Sequence, residues 1–395
     1  MQPRHDEKEM RHPAPTSEKD GNEPGTTTPE PLRFSLDATP GSWAAAQRRG
    51  DRDAIRQAVD RTVELARIAD AAGIESIWLL EDPDGWDAFA VLGAMARATE
   101  RIRLGTGVTN PYYRHPSLLA ASVATLDLLS DGRAFLGLGR GQAEWYERSL
   151  GMKVGKPVRA LRESFDLLGQ WWSSEMRATS AGTATEFAID DWERVFRPLQ
   201  SRVPMYLAAV GPLALKLAGE CADGVLFNDL SSIQFMREAI RTVRDAASAR
   251  GRDPTRLSFY ARAAVTITSD PEALYERRKS TVAAIHVLPG MERLLESPGW
   301  DTAPIIADVR QAMRTEETLG RGGGFGHLRR AGDLDAAKRA IPTQLMRELV
   351  VAGTVQEVRA RLAQFQEIGI THVFLANQGS SATADSLGEL LRDLG

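Results

Sequence analysis

Eight short runs rich in apolar and β-branched residues, each followed by an amphipathic stretch, most tightly limit how this chain can fold. The runs fall at residues 32–36, 76–80, 102–108, 134–138, 204–208, 224–227, 257–268 and 371–375. The spacing between them predicts helices over 53–72, 86–99, 117–130, 159–172, 212–222, 233–250, 271–285 and 355–368. Strand and helix in strict alternation build a parallel sheet, whose strands carry few charges because both faces are covered. Eight such units fit an α/β protein of the (β/α)8 TIM-barrel type better than a doubly wound open sheet.

The repeat is visible residue by residue. Residues 65–81, 215–229 and 362–377 each run from a helix through a turn with glycine into an apolar strand, as in Gly73-Ile74-Glu75-Ser76-Ile77-Trp78 and Gly369-Ile370-Thr371-His372-Val373-Phe374. Glycine past a helix end supplies the left-handed turn without a Cβ penalty. The last predicted helix opens with Thr354 and Glu357 at capping-box spacing and sets Val355, Val358, Leu362, Phe365 and Ile368 on one face.

Charge and cysteine content exclude several classes. With 49 basic against 53 acidic side chains and no basic stripe, nucleic acid is not the expected partner. Cys221 is the single cysteine, so neither an internal disulfide nor a cysteine zinc site is available, and a cytoplasmic protein with a buried thiol is expected. No run of about 18 apolar residues predicts a membrane helix. Residues 1–31 hold six prolines, eleven charged residues and three apolar ones, which predicts a disordered tail ahead of a single barrel domain over 32–395. Two excursions, 173–203 and 286–353, exceed what a barrel needs; the second reads as a mixed helical insertion, and such excursions are lids or binding loops, or else disordered. The glycine-rich stretch 319–326 lacks the Lys-Ser/Thr ending of a phosphate loop and reads as a flexible hinge.

In a barrel, reactive groups gather at the C-terminal strand ends. The second strand ends in Glu81-Asp82, whose side chains should point to opposite faces, one to the cavity and one to cap the next helix. The third strand carries Gly105 and Gly107 before Val108-Thr109-Asn110, and the fourth carries Gly137, Gly139 and Gly141 around Arg140. Glycine inside a strand implies a bend or a close neighbour, which a flat ligand or a packed side chain satisfies equally. His115 before Pro116 reads as a helix cap. Ala208-Ala209-Val210-Gly211 leads into a helix starting with Pro212, where exposed N–H groups suit a phosphate or an ordinary turn. No Gly-x-Ser-x-Gly elbow, His-Glu-x-x-His or complete Walker loop is present.

Taken together, the Glu81-Asp82 strand end, residues 98–111, Arg114-His115-Pro116, Ala124-Thr125-Leu126-Asp127, Ser130-Asp131-Gly132-Arg133 and Leu136-Gly137-Leu138-Gly139-Arg140-Gly141 resemble the bacterial-luciferase-like flavin oxidoreductases. The resemblance is greatest to the branch that uses the deazaflavin coenzyme F420, which includes methylene-tetrahydromethanopterin reductases and sugar-phosphate dehydrogenases. It resumes at 203–228 and 353–376 and omits the tail and the insertion at 286–353.

The resemblance implies a flavin ring lying across the strand ends, backed by a non-prolyl cis peptide that falls at Gly107–Val108. It implies that Glu81 lies near the ring, that Thr109, Gly139, Arg140 and Gly141 line the cofactor channel, and that Ala208, Ala209, Val210 and Gly211 receive the phosphate. Asp82 stands where sugar-phosphate dehydrogenases have an active-site histidine, and Gln142 where they have a catalytic carboxylate. Residues 228–231 also lack their phosphate-binding lysine, so a sugar phosphate is not the expected substrate. The implied activity is hydride transfer between F420 and a small organic substrate, with Glu81, Asp82 and Gln142 as catalytic candidates and Tyr112, Trp145 and Tyr146 shaping the pocket. The alternatives are an FMN-dependent monooxygenase on the same barrel, a non-catalytic flavin-binding protein and a metal-dependent lyase. Family members often dimerise through barrel helices, so a homodimer is an expectation from resemblance alone.

Overall fold

The computed structural model describes residues 31–83, 85–180, 186–376 and 383–395. The expected tail, apart from Pro31, lies outside them. Eight strands form at the expected places: β1 Arg33–Asp37, β2 Ser76–Leu79, β3 Arg103–Thr106, β4 Ala134–Leu138, β5 Met205–Ala208, β6 Gly224–Phe227, β7 Ser258–Ile267 and β8 His372–Leu375. Each pairs in parallel with the next, and β8 pairs with β1, so the sheet closes. A closed parallel barrel has no free edge.

The two-residue period of each strand sorts side chains between two cores. Ile77, Leu79, Leu104, Leu136, Leu207, Val225, Phe259 and Val373 pack outward against the helices. Trp78, Phe135, Tyr206, Leu226, Tyr260 and Phe374 fill the interior as a separate layer. Below it the Ser35 and Ser76 hydroxyls share a hydrogen bond of 2.8 Å, and His372 stacks on Tyr260 with 4.0 Å between ring centroids. Above it, farther along the strands, the inward positions are Asp37, Leu80, Gly107, Gly139, Ala208, Asn228, Arg262 and Ala376. The filled layer thus carries a mouth in which three neighbouring strands contribute only Gly107, Gly139 and Ala208.

The eight expected helices are present with ends shifted by a residue or two, for example Arg52–Ala72, Pro157–Trp171 and Val355–Glu367. The Thr354–Glu357 capping box forms on both sides. Helices Gly41–Arg49 and Ala384–Leu394 were not expected. The first excursion contains an antiparallel hairpin, Arg177–Ser180 with Ile189–Glu193. Six short helices from Met291–Leu295 to Thr343–Leu349 occupy the second. Its glycine stretch is a hydrogen-bonded corner: Gly320, Gly322 and Gly323 have φ of 77°, 69° and 122°, and Ser149 Oγ donates to the Gly320 carbonyl at 2.7 Å. Phe325 meets Trp145 edge-on at 4.7 Å, in a small core with Val287, Leu319 and Leu328. Cys221 is half-buried, and burial pushes its thiol up to about 12. Among the described residues no helix is long and apolar enough to cross a membrane.

Candidate active site

Glu81 stands two residues past the end of β2 with its side chain fully buried. Both carboxylate oxygens accept from the Arg114 guanidinium at 2.8–2.9 Å. One also accepts from the Thr109 hydroxyl and the other from the Ala88 amide. Arg114 continues to Asp87 at 2.7 Å and lies over the Phe89 ring, and these carboxylates hold the guanidinium firmly charged despite burial. A buried carboxylate with every acceptor direction taken braces the loop after β3 and is poorly placed to trade protons. Arg114 sits 33 residues from Glu81 in the sequence, and the Arg-His-Pro motif gave no sign of that partnership.

The peptide between Gly107 and Val108 is cis, at the position the resemblance implies. A Cβ on Gly107 would stand 2.9 Å from Trp78 Cβ, and one on Gly105 would stand 2.4 Å from the Phe135 ring. These two glycines therefore make room for the protein's own aromatic layer, not for a ligand. Gly139 differs, because its nearest neighbours are the Val108 methyl at 2.7 Å and the Ala208 Cβ at 3.6 Å. Half-buried Val108 packs on the aromatic layer and, with Gly139 and Ala208, forms a shelf at the mouth.

Beyond the shelf, Asn110 Oδ1 accepts from the Tyr112 and Tyr113 amides while its Nδ2 donates to the Tyr146 hydroxyl at 2.8 Å. Burial, reinforced by Asp82, keeps the Tyr146 phenol protonated far above neutrality, and burial with Glu186 nearby pushes Tyr112 up to about 12. Gln142 is buried; its Nε2 donates to Glu144 at 2.8 Å and its Oε1 has no protein partner. The Tyr112 hydroxyl is likewise buried without a partner. Trp145–Ser149 forms a π-helix directly after this turn, a geometry often found at functional sites. Arg140 is exposed, and Gly141 has φ of 63° with the Tyr146 ring where a Cβ would go.

Ala208, Ala209, Val210 and Gly211 lead from β5 into the helix Pro212–Cys221, whose N-cap Gly211 offers no side-chain cap and is exposed. Its first amides thus lack the usual side-chain acceptor, as an anion site requires. His115 is a helix cap, its Nδ1 accepting from the Ser117 amide at 3.2 Å. Among the described residues no three His, Cys, Asp or Glu side chains gather to hold a metal. Sequence reasoning missed two charges at the mouth, Asp37 and Arg262, which pair with each other across 225 residues.

The family model for luciferase-like monooxygenases matches residues 39–372. The chain belongs to that family. This luciferase-like oxidoreductase is 30% identical to 5,10-methylenetetrahydromethanopterin reductase of Methanolobus tindarius over 79% of this chain and 89% of that protein. It is 28% identical to a putative coenzyme F420-dependent oxidoreductase of Mycobacterium tuberculosis, over 83% and 93% of the two chains. The structure of the F420-dependent tetrahydromethanopterin reductase from Methanopyrus kandleri superposes with a TM-score of 0.69 at 23% identity, covering 92% of this chain and 98% of that one. That similarity shows the luciferase-like barrel.

Proposed function

We propose that this luciferase-like enzyme is an F420-dependent oxidoreductase acting on a small organic substrate. The observation that carries the reading is similarity, over 79% and 83% of this chain, to enzymes named for tetrahydromethanopterin and F420 chemistry. The residues at the mouth fit such a group: the Gly139 and Ala208 positions carry no side chain beyond Cβ, and buried polar atoms of Gln142 and Tyr112 await a partner. When bound, the deazaflavin supplies hydride transfer at C5.

The protein's own part is to bind, orient and handle protons. Val108 and Gly139 support a planar ring, and the amides after Gly211 receive a phosphate. Glu81 and Arg114 brace the shelf. Gln142, an amide anchored by Glu144, orients a donor group and moves no proton. Tyr112 and Tyr146 stay protonated near neutral pH and act as donors. Asp82, half-buried at the same strand end and near Tyr146, is the carboxylate we assign to proton handling.

The family's monooxygenase description supports a second reading, an FMN-dependent oxygenase on the same shelf. Titrating the purified protein with F420 and with FMN, read by ring-fluorescence quenching, separates the two. Selective F420 binding, with hydride exchange at the deazaflavin absorbance band, is the expected result. Selective FMN binding with oxygen uptake would overturn it.

A further inference from the structure

Asp37 and Arg262 belong to no motif, yet they hold the charged half of the mouth. Arg262 rises from β7, and Gly107 follows β3 on the opposite wall of the barrel. Arg262 Nη1 donates to the Gly107 carbonyl at 2.9 Å, and Nη2 pairs with Asp37 at the end of β1. The guanidinium also lies 5.7 Å from the centroid of the Phe374 ring, on top of the aromatic layer. Its side chain is 16% exposed and that of Asp37 32%, so the pair is neither sealed in the core nor immersed in solvent. The Gly107 amide donates to Leu79 at 2.8 Å in the ladder, while its carbonyl is taken by a side chain from across the barrel.

An apolar side chain would cover Phe374 at lower desolvation cost. A planar fork that serves a carbonyl and a carboxylate together is what arginine supplies and lysine does not. The result is a strut joining three strands at the height of the Val108 shelf, with a cation at its centre.

We propose that Arg262 is a positioning residue for the cofactor ring, tying the Gly107–Val108 shelf to the opposite wall and holding a cation, tempered by Asp37, against the place where the ring rests. The proposal rests on the F420 reading. The ring hydroxyl of F420 is conjugated with an electron-poor pyrimidine and is therefore acidic, and a nearby cation favours its ionised form. The other charges around the mouth include Glu81, committed to Arg114, Asp229, paired with Arg278 at 2.5 Å, and Glu144, bonded to Gln142, together with Asp82, Arg140 and, beside Tyr112, Glu186. None of them is altered in the variants compared.

The test uses the full-length protein, with F420 affinity read by fluorescence quenching and the bound ring's ionisation midpoint read by absorbance against pH. Arg262→Met is expected to weaken F420 binding about tenfold and raise the midpoint by about one unit. Arg262→Lys keeps the charge but loses the fork, so affinity falls while the midpoint stays. Asp37→Asn uncovers the cation and lowers the midpoint. A purely structural strut would weaken binding in all three without moving the midpoint in opposite directions, and that pattern, or unchanged affinity, overturns the proposal. If Arg262→Met does not fold, the direction of the Asp37→Asn shift decides. Failure of the unmodified protein to bind F420 overturns the cofactor reading itself, whereas normal binding with insensitive variants overturns only the role of Arg262.

Discussion

The two ends of the barrel interior are both polar, but they are built in opposite ways. At the base, Ser35, Ser76, Arg103 and His372 lie under the aromatic layer: the Trp78 indole donates to Ser76 at 2.9 Å, the serines bond together, and His372 Nδ1 meets the Thr371 hydroxyl at 2.7 Å while its Nε2, 3.8 Å from Glu75, has no hydrogen-bond partner. At the mouth, the wall from β3 to β5 ends in Gly107, Gly139 and Ala208, Arg262 and Asp37 are partly exposed, and Gln142 Oε1 is left without a protein partner. Both ends leave a buried polar atom unpaired, so what separates a plug from a binding floor is bulk: side chains fill the base, whereas three neighbouring strands bring only Gly107, Gly139 and Ala208 to the mouth.

The largest effects should come from what the two ends share. Trp78 is fully buried and lies 4.3 Å from Phe135 and 4.8 Å from Tyr260, ring to ring. Trp78→Ala should cost about 3–5 kcal/mol in urea unfolding, because a cavity replaces the layer that supports both ends. Arg114→Met should cost a similar ~3–5 kcal/mol by leaving Glu81 buried and unpaired. A loss under about 1 kcal/mol would mean that Glu81 is less tightly committed than its hydrogen bonds indicate, and would return it to the proton-handling candidates.

A sharper division concerns two glycines of β4 and its end. A Cβ on Gly137 would sit 2.2 Å from the Thr106 carbonyl oxygen, which is backbone and cannot turn aside. One on Gly139 would meet the Val108 methyl at 2.7 Å, which can. Gly137→Ala should therefore cost ~1–3 kcal/mol of stability, and Gly139→Ala less than ~1 kcal/mol while weakening F420 binding about tenfold. Unfolding curves and ring-fluorescence titrations measured on both variants test this. If Gly139→Ala binds F420 as well as the unmodified protein does, the shelf lies elsewhere.

This pair also shows how far the sequence could be read. All eight barrel strands were legible because parallel strands buried on both faces leave uninterrupted apolar runs. The glycines were legible as close approaches, but not what approaches them: Gly105 and Gly107 face the protein's own Phe135 and Trp78, and only the Gly139 side faces the shelf. Glu81 was visible as a strand-end carboxylate, while its neutralisation by Arg114 and the Asp37–Arg262 strut depend on barrel closure, which brings together residues far apart in sequence. The insertion at 286–353 was legible as helical, but its individual helices were not, because they are short and set off by glycine or proline. Helix Gly41–Arg49 escaped because no side chain caps its start.

The smallest effect isolates the base. Burial pushes the His372 imidazole down to about 3, with Arg33 and Arg103 adding to it, and this outweighs the Glu75 carboxylate 3.8 Å away. His372 is therefore neutral in the folded protein near neutral pH, and the contact is not an ion pair there. The unfolded chain takes up a proton near the ordinary histidine value, so this contribution to stability is complete above about pH 6.5 and declines as pH falls toward 3. His286, pushed down to about 4 by burial, has the same sign, so the comparison must be made against a His372→Asn variant. Between pH 6.5 and 5.5 the unmodified protein should lose about 1 kcal/mol more than that variant in denaturant titrations, while F420 affinity, set at the other end of the barrel, stays parallel in the two. Equal acid limbs would show that protons reach His372 without cost, and that the base is no more sealed than the mouth.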